Sequence, residues 1–147
     1  MKKQALGIVA VFSLLLVLSS ASVQAQTKRF STSIPFNFYV GQTIYPAGEY
    51  TVEPIRQNSQ NVWLLENTNR HFSVVFTTIP VWASVTQDQT KLVFNRYGDH
   101  YFLSQISTAG DNSSRELRMR HWERQLAKNG VQAEKVFAPA LREQHSR

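Results

Sequence analysis

Hydrophobic and polar positions alternate along most of this chain, and the alternation predicts β-structure. Ile34–Val40 sets Phe36, Phe38 and Val40 against Asn37 and Tyr39, the period of a half-buried strand. Pro35 stands at its start, where a missing N–H costs least. The polar stretch 27–33 before it reads as a frayed leader. After turns at Gly41-Gln42-Thr43 and Tyr45-Pro46-Ala47-Gly48, Glu49–Glu53 places Tyr50 and Val52 on one face, and Pro54 marks an end or an edge. Val62–Leu65 lacks clean alternation, which predicts burial on both faces. His71–Trp82 is long and rich in β-branched and aromatic residues, with Pro80 as a bend or edge marker.

The strongest local signal lies in Lys91–Ala109, where two apolar-rich runs flank Gly98-Asp99. A glycine-first two-residue loop between strands predicts a hairpin, because glycine supplies the positive φ that the turn requires. Pairing Tyr97 with His100 and Arg96 with Tyr101 puts Leu92, Phe94, Arg96, Tyr101, Leu103 and Gln105 on one face. Val93, Asn95, Tyr97, His100, Phe102, Ser104 and Ile106 then fall on the other. Both faces carry large apolar groups, so both should be covered.

Beyond Gly110 the period changes. Ser113-x-x-Glu116 matches a capping box, Ser114–Lys128 is rich in helix formers, and Gly130 is placed as a C-terminal cap. Met119, Trp122 and Leu126 form a narrow apolar stripe, flanked by Arg115, Arg118, Arg120, Arg124 and Lys128. The chain is therefore expected to be mainly β, an antiparallel β-sandwich or small barrel with one C-terminal α-helix and a loose tail. Its parts are a β-domain over 26–110, a basic amphipathic helix over 111–130 and a flexible tail over 131–147.

Composition adds an address. Met1-Lys2-Lys3, an apolar run from Ala5 to Leu18 and the small-residue site Val23-Gln24-Ala25 form a secretory signal peptide, residues 1–25. The run is shorter than the roughly 20 apolar residues of a membrane span, so no transmembrane anchor is expected after cleavage. The protein is expected to be exported, to the periplasm or the medium. Cysteine is absent, so disulfides and a lipidated N-terminal cysteine are excluded. Residues 26–111 hold six basic and six acidic side chains, whereas 112–147 hold eight and four. The excess positive charge thus belongs to the C-terminal quarter.

Candidate chemistry changes little. Asp99, His100 and Ser104 are close in sequence, but His100 and Ser104 are four residues apart on one strand, roughly 13 Å, too far to share a proton. No G-x-S-x-G is present. His71, His100, His121 and His145 stand apart without metal-ligand spacing, and no metal or other cofactor is expected. Glu49 and Glu53 share the polar side of a strand, where a solvated face explains them better than a hydrolytic pair. Trp63, Trp82, Tyr39, Tyr45 and Tyr97 offer rings for stacking on a sugar or peptide, though most should be core or rim.

Three pieces of sequence carry a resemblance. Pro35-Phe36-x-Phe38-x-Val40-Gly41, Pro46-Ala47-Gly48-Glu49-Tyr50-x-Val52 and Leu92-Val93-Phe94-x-Arg96-Tyr97-Gly98-Asp99-x-Tyr101-Phe102-Leu103-Ser104 together resemble a group of small exported bacterial proteins of unknown function. Each is a single β-rich domain followed by a basic segment, matched here by Arg115-Glu116-Leu117 and Glu123-Arg124-x-Leu126-Ala127. The resemblance implies no active site and no ligand. The expectation is an exported, non-enzymatic binding or structural module of the cell envelope. Its contact residues would be Arg115, Arg118, Arg120, Arg124 and Lys128, facing an anionic envelope surface or another envelope protein. Nucleic acid fits the charge but not the exported address. Two alternatives are a small carboxylate-dependent envelope hydrolase and an assembly or adhesion subunit using an exposed sheet edge.

Overall fold

The computed structural model describes residues 28–141, apart from 57 and 70. The expected signal peptide and the last six positions of the expected tail lie outside the described residues. Two sheets pack face to face. The first has four strands in the order β1 (Phe30–Ile34), β4 (Gly48–Arg56), β5 (Ser59–Asn67), β6 (Ser73–Thr77), all antiparallel. The second runs β11 (Glu134–Pro139), β8 (Lys91–Tyr97), β9 (His100–Ser107), β10 (Ser113–Glu116), β7 (Ile79–Trp82). A small hairpin, β2 (Phe38–Val40) and β3 (Thr43–Tyr45), joins β9 by the parallel bridge Tyr39–Phe102. The sheets do not close into a barrel.

The core lies between the sheets. Tyr50 and Val52 of β4, Trp63 and Leu65 of β5, and Leu92 and Phe94 of β8 are buried in it, with Phe38 between them. The inward pair expected on β4 is thus observed. β5 differs from expectation, because Trp63 and Leu65 are buried while Val62 and Leu64 are half-covered. One side of that strand faces the core and the other the surface. Phe30–Ile34 is also no frayed leader: it pairs with β4 along its length and buries Thr32 and Ile34. Pro35 separates β1 from β2, so the expected single strand Ile34–Val40 is two short ones.

The central hairpin matches expectation at its tip and departs from it further down. Tyr97 pairs with His100 and Arg96 with Tyr101, and Gly98 turns at φ 61°. Between Phe94–Leu103 and Val93–Gln105, however, Ser104 is an extra residue on β9. This β-bulge shifts the alternation by one, so Ile106 joins Leu92 in the core instead of sharing the outer face with Val93.

The largest departure follows Gly110. Ser113–Glu116 is strand β10, inserted antiparallel between β9 and β7, and Ser113 and Glu116 cap no helix. Asp111 Oδ1 accepts from both the backbone N–H (2.9 Å) and the hydroxyl (2.8 Å) of Ser113, an Asx-type turn into the strand. Ser114 is buried against Ser107, with their hydroxyls 3.3 Å apart. Serines favour a helix only weakly. As a strand the segment pairs the edges of both β9 and β7, which would otherwise leave backbone groups without partners.

The helix, α1, is confined to His121–Lys128. Gly130 follows it at φ 80°, in the left-handed C-terminal role expected of it. Residues 134–139 of the expected tail form β11, paired with β8, and Ala138 is buried. Its apolar residues, Val136-Phe137-Ala138, run consecutively, so no alternation marked this strand in the sequence.

The two sides of the sandwich differ. On one, β1 meets β11: Thr32 bridges Ala140, and the Thr32 hydroxyl donates to Pro139 O at 2.8 Å. On the other, one stretch of chain forms both edges, β6 in the first sheet and β7 in the second, bending at buried Thr78. Pro80 sits on the terminal strand β7, where its missing N–H is harmless. That second side stays partly open.

Candidate functional site

The opening has a definite cause in the strand pairing. β7 and β10 run together from Ser113–Trp82 to Glu116–Ile79 and then part. Upstream of Thr78 the chain remains with β5 as β6, whereas Leu117 turns toward β9, its N–H donating to Ser104 O at 2.8 Å. A cleft of about 730 Å³ lies between the two arms of this fork, within the ~300–1,000 Å³ usual for ligand sites. Six consecutive residues, Val74–Ile79, line one wall. Successive side chains of a strand point to opposite faces, so a wall made of consecutive residues is the backbone edge of β6. No strand pairs with that edge among the described residues.

Val40, Phe76 and Leu103 give the cleft a buried apolar floor. Arg118 and Arg120 come from the extended stretch after β10, and Arg124 from α1. All three are exposed, and none is paired with a carboxylate among the described residues. Arg120 lies along the β2–β3 turn, where a Cβ added at Gly41 would be 3.9 Å from its Nε.

Of the five cations expected on one basic helix, three therefore line the cleft, from the extended stretch after β10 and from α1. Arg115 stands in β10 and donates to the side chains of Gln60 and Asn61 on β5, tying the sheets together. Lys128 is exposed in the last turn of α1, away from the cleft. The expected basic helix breaks up because Ser113–Glu116 is a strand and 117–120 is extended chain.

The apolar stripe also changes. Trp122 packs on the outer face of the second sheet, its ring centroid 4.7 Å from Tyr39, 5.1 Å from His100 and 5.2 Å from Phe102. Met119 is exposed instead. The buried helix residue is Glu123, at one end of the cleft. Its Oε1 accepts from Asn95 Nδ2 at 2.9 Å, and Lys135 Nζ donates to Asn95 Oδ1 at 2.6 Å. Burial pushes the Glu123 carboxyl above its usual range, opposed by the Asn95 hydrogen bond and the Lys135 charge and assisted by nearby Glu116. Glu123, Asn95 and Lys135 carried no sequence signal: a charged residue beside a charged stripe reads as solvated.

The other candidates have structural roles. Gly98 and Asp99 form the hairpin tip, exposed and remote from the cleft lining. His100 belongs to the Trp122 aromatic group, and Ser104 is the bulge residue. Trp63 and Tyr97 are core, while Trp82 is 75% exposed on β7. Glu49 and Glu53 lie on β4, Glu53 beside Arg29 at 3.7 Å. Among the described residues, Glu123 is the single carboxylate in the cleft lining. No metal-binding group of three His, Asp or Glu occurs among the described residues. No helix there is long and apolar enough to cross a membrane.

Comparison with protein-family models, with curated proteins and with solved structures finds no match for this chain.

Proposed function

We propose that this chain is an exported, non-catalytic binding module that holds an anionic partner in the cleft between β6 and the Leu117–Arg120 segment. The observation that carries this reading is the convergence of Arg118, Arg120 and Arg124 on one cleft, without carboxylate partners among the described residues. Like charges held together repel one another, and an anionic ligand relieves that repulsion. Arginine also suits carboxylate and phosphate groups through its planar fork of donors. The apolar floor supplies contact area, and the arginine rim supplies selectivity for charge.

Binding of poly-L-glutamate and of phosphatidylglycerol vesicles, measured at about 20 mM and about 500 mM salt, tests this, since the screening length falls several-fold between them. At least one probe is expected to bind at low salt and to be released at high salt. The Arg118→Glu/Arg120→Glu/Arg124→Glu variant is expected to bind neither. Equal binding by wild type and variant, or no binding by wild type to any anion, would overturn the reading.

A further inference from the structure

We infer that the ligand of this cleft is an extended peptide strand, alternating apolar and acidic residues, that adds to the open edge of β6. The inference rests on the anion-binding reading above and specifies the partner. Its starting point is the fork itself. Two strands that are hydrogen-bonded between Glu116 and Ile79 separate one residue further on, and their backbones then run along opposite sides of the same cleft. β6 remains paired with β5 from Val62–Thr77 to Glu66–Ser73, so only its outer edge is open.

An open edge of five residues presents unpaired N–H and C=O groups over about 16 Å. Native proteins usually blunt such edges with charge, proline or a bulge. β6 has none of these: its sequence is Ser-Val-Val-Phe-Thr, its pairing with β5 is regular, and Val75 is 55% exposed. The Leu117–Arg120 segment lines the same cleft as that edge. Strand addition of this kind takes affinity from main-chain hydrogen bonds and specificity from alternate side chains.

The two sides of the cleft dictate those side chains. Toward the sandwich interior a bound strand would meet Phe76, Leu103 and Val40, which fit apolar groups. Toward solvent it would meet Arg118, Arg120 and Arg124, which fit carboxylates. The chain's own segments do not answer this description. Residues 142–147 read Arg-Glu-Gln-His-Ser-Arg and residues 1–27 contain no acid, while the acidic alternation Glu49–Glu53 is paired on both edges within β4. A second copy joined β6 to β6 would bring no carboxylate to the arginines. The partner is therefore a different polypeptide.

The test uses a capped octapeptide alternating Val and Glu, its Val/Lys counterpart, and the Val/Glu peptide N-methylated at every second amide in each of the two registers. Binding is followed through the backbone amide resonances of the isotope-labelled protein. The Val/Glu peptide is expected to shift the Ser73–Thr77 amides and slow their hydrogen exchange. N-methylation in at least one register is expected to abolish both effects, and Val/Lys should not bind. Arg118→Glu/Arg124→Glu should weaken the Val/Glu peptide by about tenfold, as loss of two rim charge pairs implies. If poly-L-glutamate or phosphatidylglycerol vesicles shift resonances at the arginines alone and no peptide moves β6, strand addition is wrong while anion binding stands. If both N-methylated registers bind as well as the parent, strand addition is again refuted. If no anionic probe binds, both readings fall together.

Discussion

Replacing Glu123 separates what its hydrogen bond contributes from what its charge costs. α1 has eight residues, fewer than the roughly 12–15 that an isolated helix needs to persist in water. It is held by packing, through Trp122 and through Glu123 to Asn95, a residue only 2% exposed. In Glu123→Ala the buried Asn95 amide loses its acceptor, a loss of about 1–3 kcal/mol. For a domain of this size that is a fall in melting temperature of roughly 4–12 °C. Glu123→Gln keeps an oxygen for Asn95 and removes the buried charge. Because the Glu123 carboxyl is raised in the fold, the native state binds its proton before the unfolded chain does. Stability attributable to this group therefore falls as pH rises from the unfolded-state value through the folded one, and recovers on acidification. Glu123→Gln should melt at or above wild type at neutral pH, with the difference shrinking toward pH ~4.5. Thermal unfolding of wild type and both variants, followed by circular dichroism across that range, checks both effects. A wild-type-to-Gln difference that does not vary with pH refutes the charge argument. Equal melting of Gln and Ala variants refutes the hydrogen-bond argument.

Three other perturbations follow from the fold. Gly98→Ala meets no atom within 4 Å, so its cost is backbone strain alone at φ 61°, about 1–2 kcal/mol by denaturant unfolding. Phe94, fully buried between Phe36 and Phe38, should cost about 3–5 kcal/mol on replacement by Ala, with no change in the hairpin turn by NMR. Ending the chain at Asp111 removes β10 and β11 and exposes edges of β7, β8 and β9. The shortened protein should lose its cooperative thermal transition; a sharp one would show that the first nine strands fold alone.

The candidate site was legible in its charges but not in its shape. Arg118, Arg120 and Arg124 stand out in any reading of the C-terminal quarter, yet their convergence depends on a fork between strands whose segments are separated by dozens of residues. The β6 wall gave no warning, because an open edge and a paired edge have the same side-chain pattern. Glu123 escaped for a related reason: its hydrogen-bond partner, Asn95, stands on β8, 28 residues away in sequence.

Local chemistry determined by itself those features whose causes are local. A glycine that must turn at positive φ located the β8–β9 hairpin and its register at the tip. The alternation around Tyr50 and Val52 identified the inward side of β4, and Gly130 the end of α1. Tertiary structure decided the rest. Ser113–Glu116 became a strand because β7 and β9 offered partners on both edges, which outweighed a weak helical preference. The bulge at Ser104 moved Ile106 into the core. The cleft exists because β10 pairs with β7 and its continuation leaves β6. Backbone hydrogen bonding between distant segments made each of these choices, and an amino-acid sequence records side chains more plainly than it records which backbones will meet.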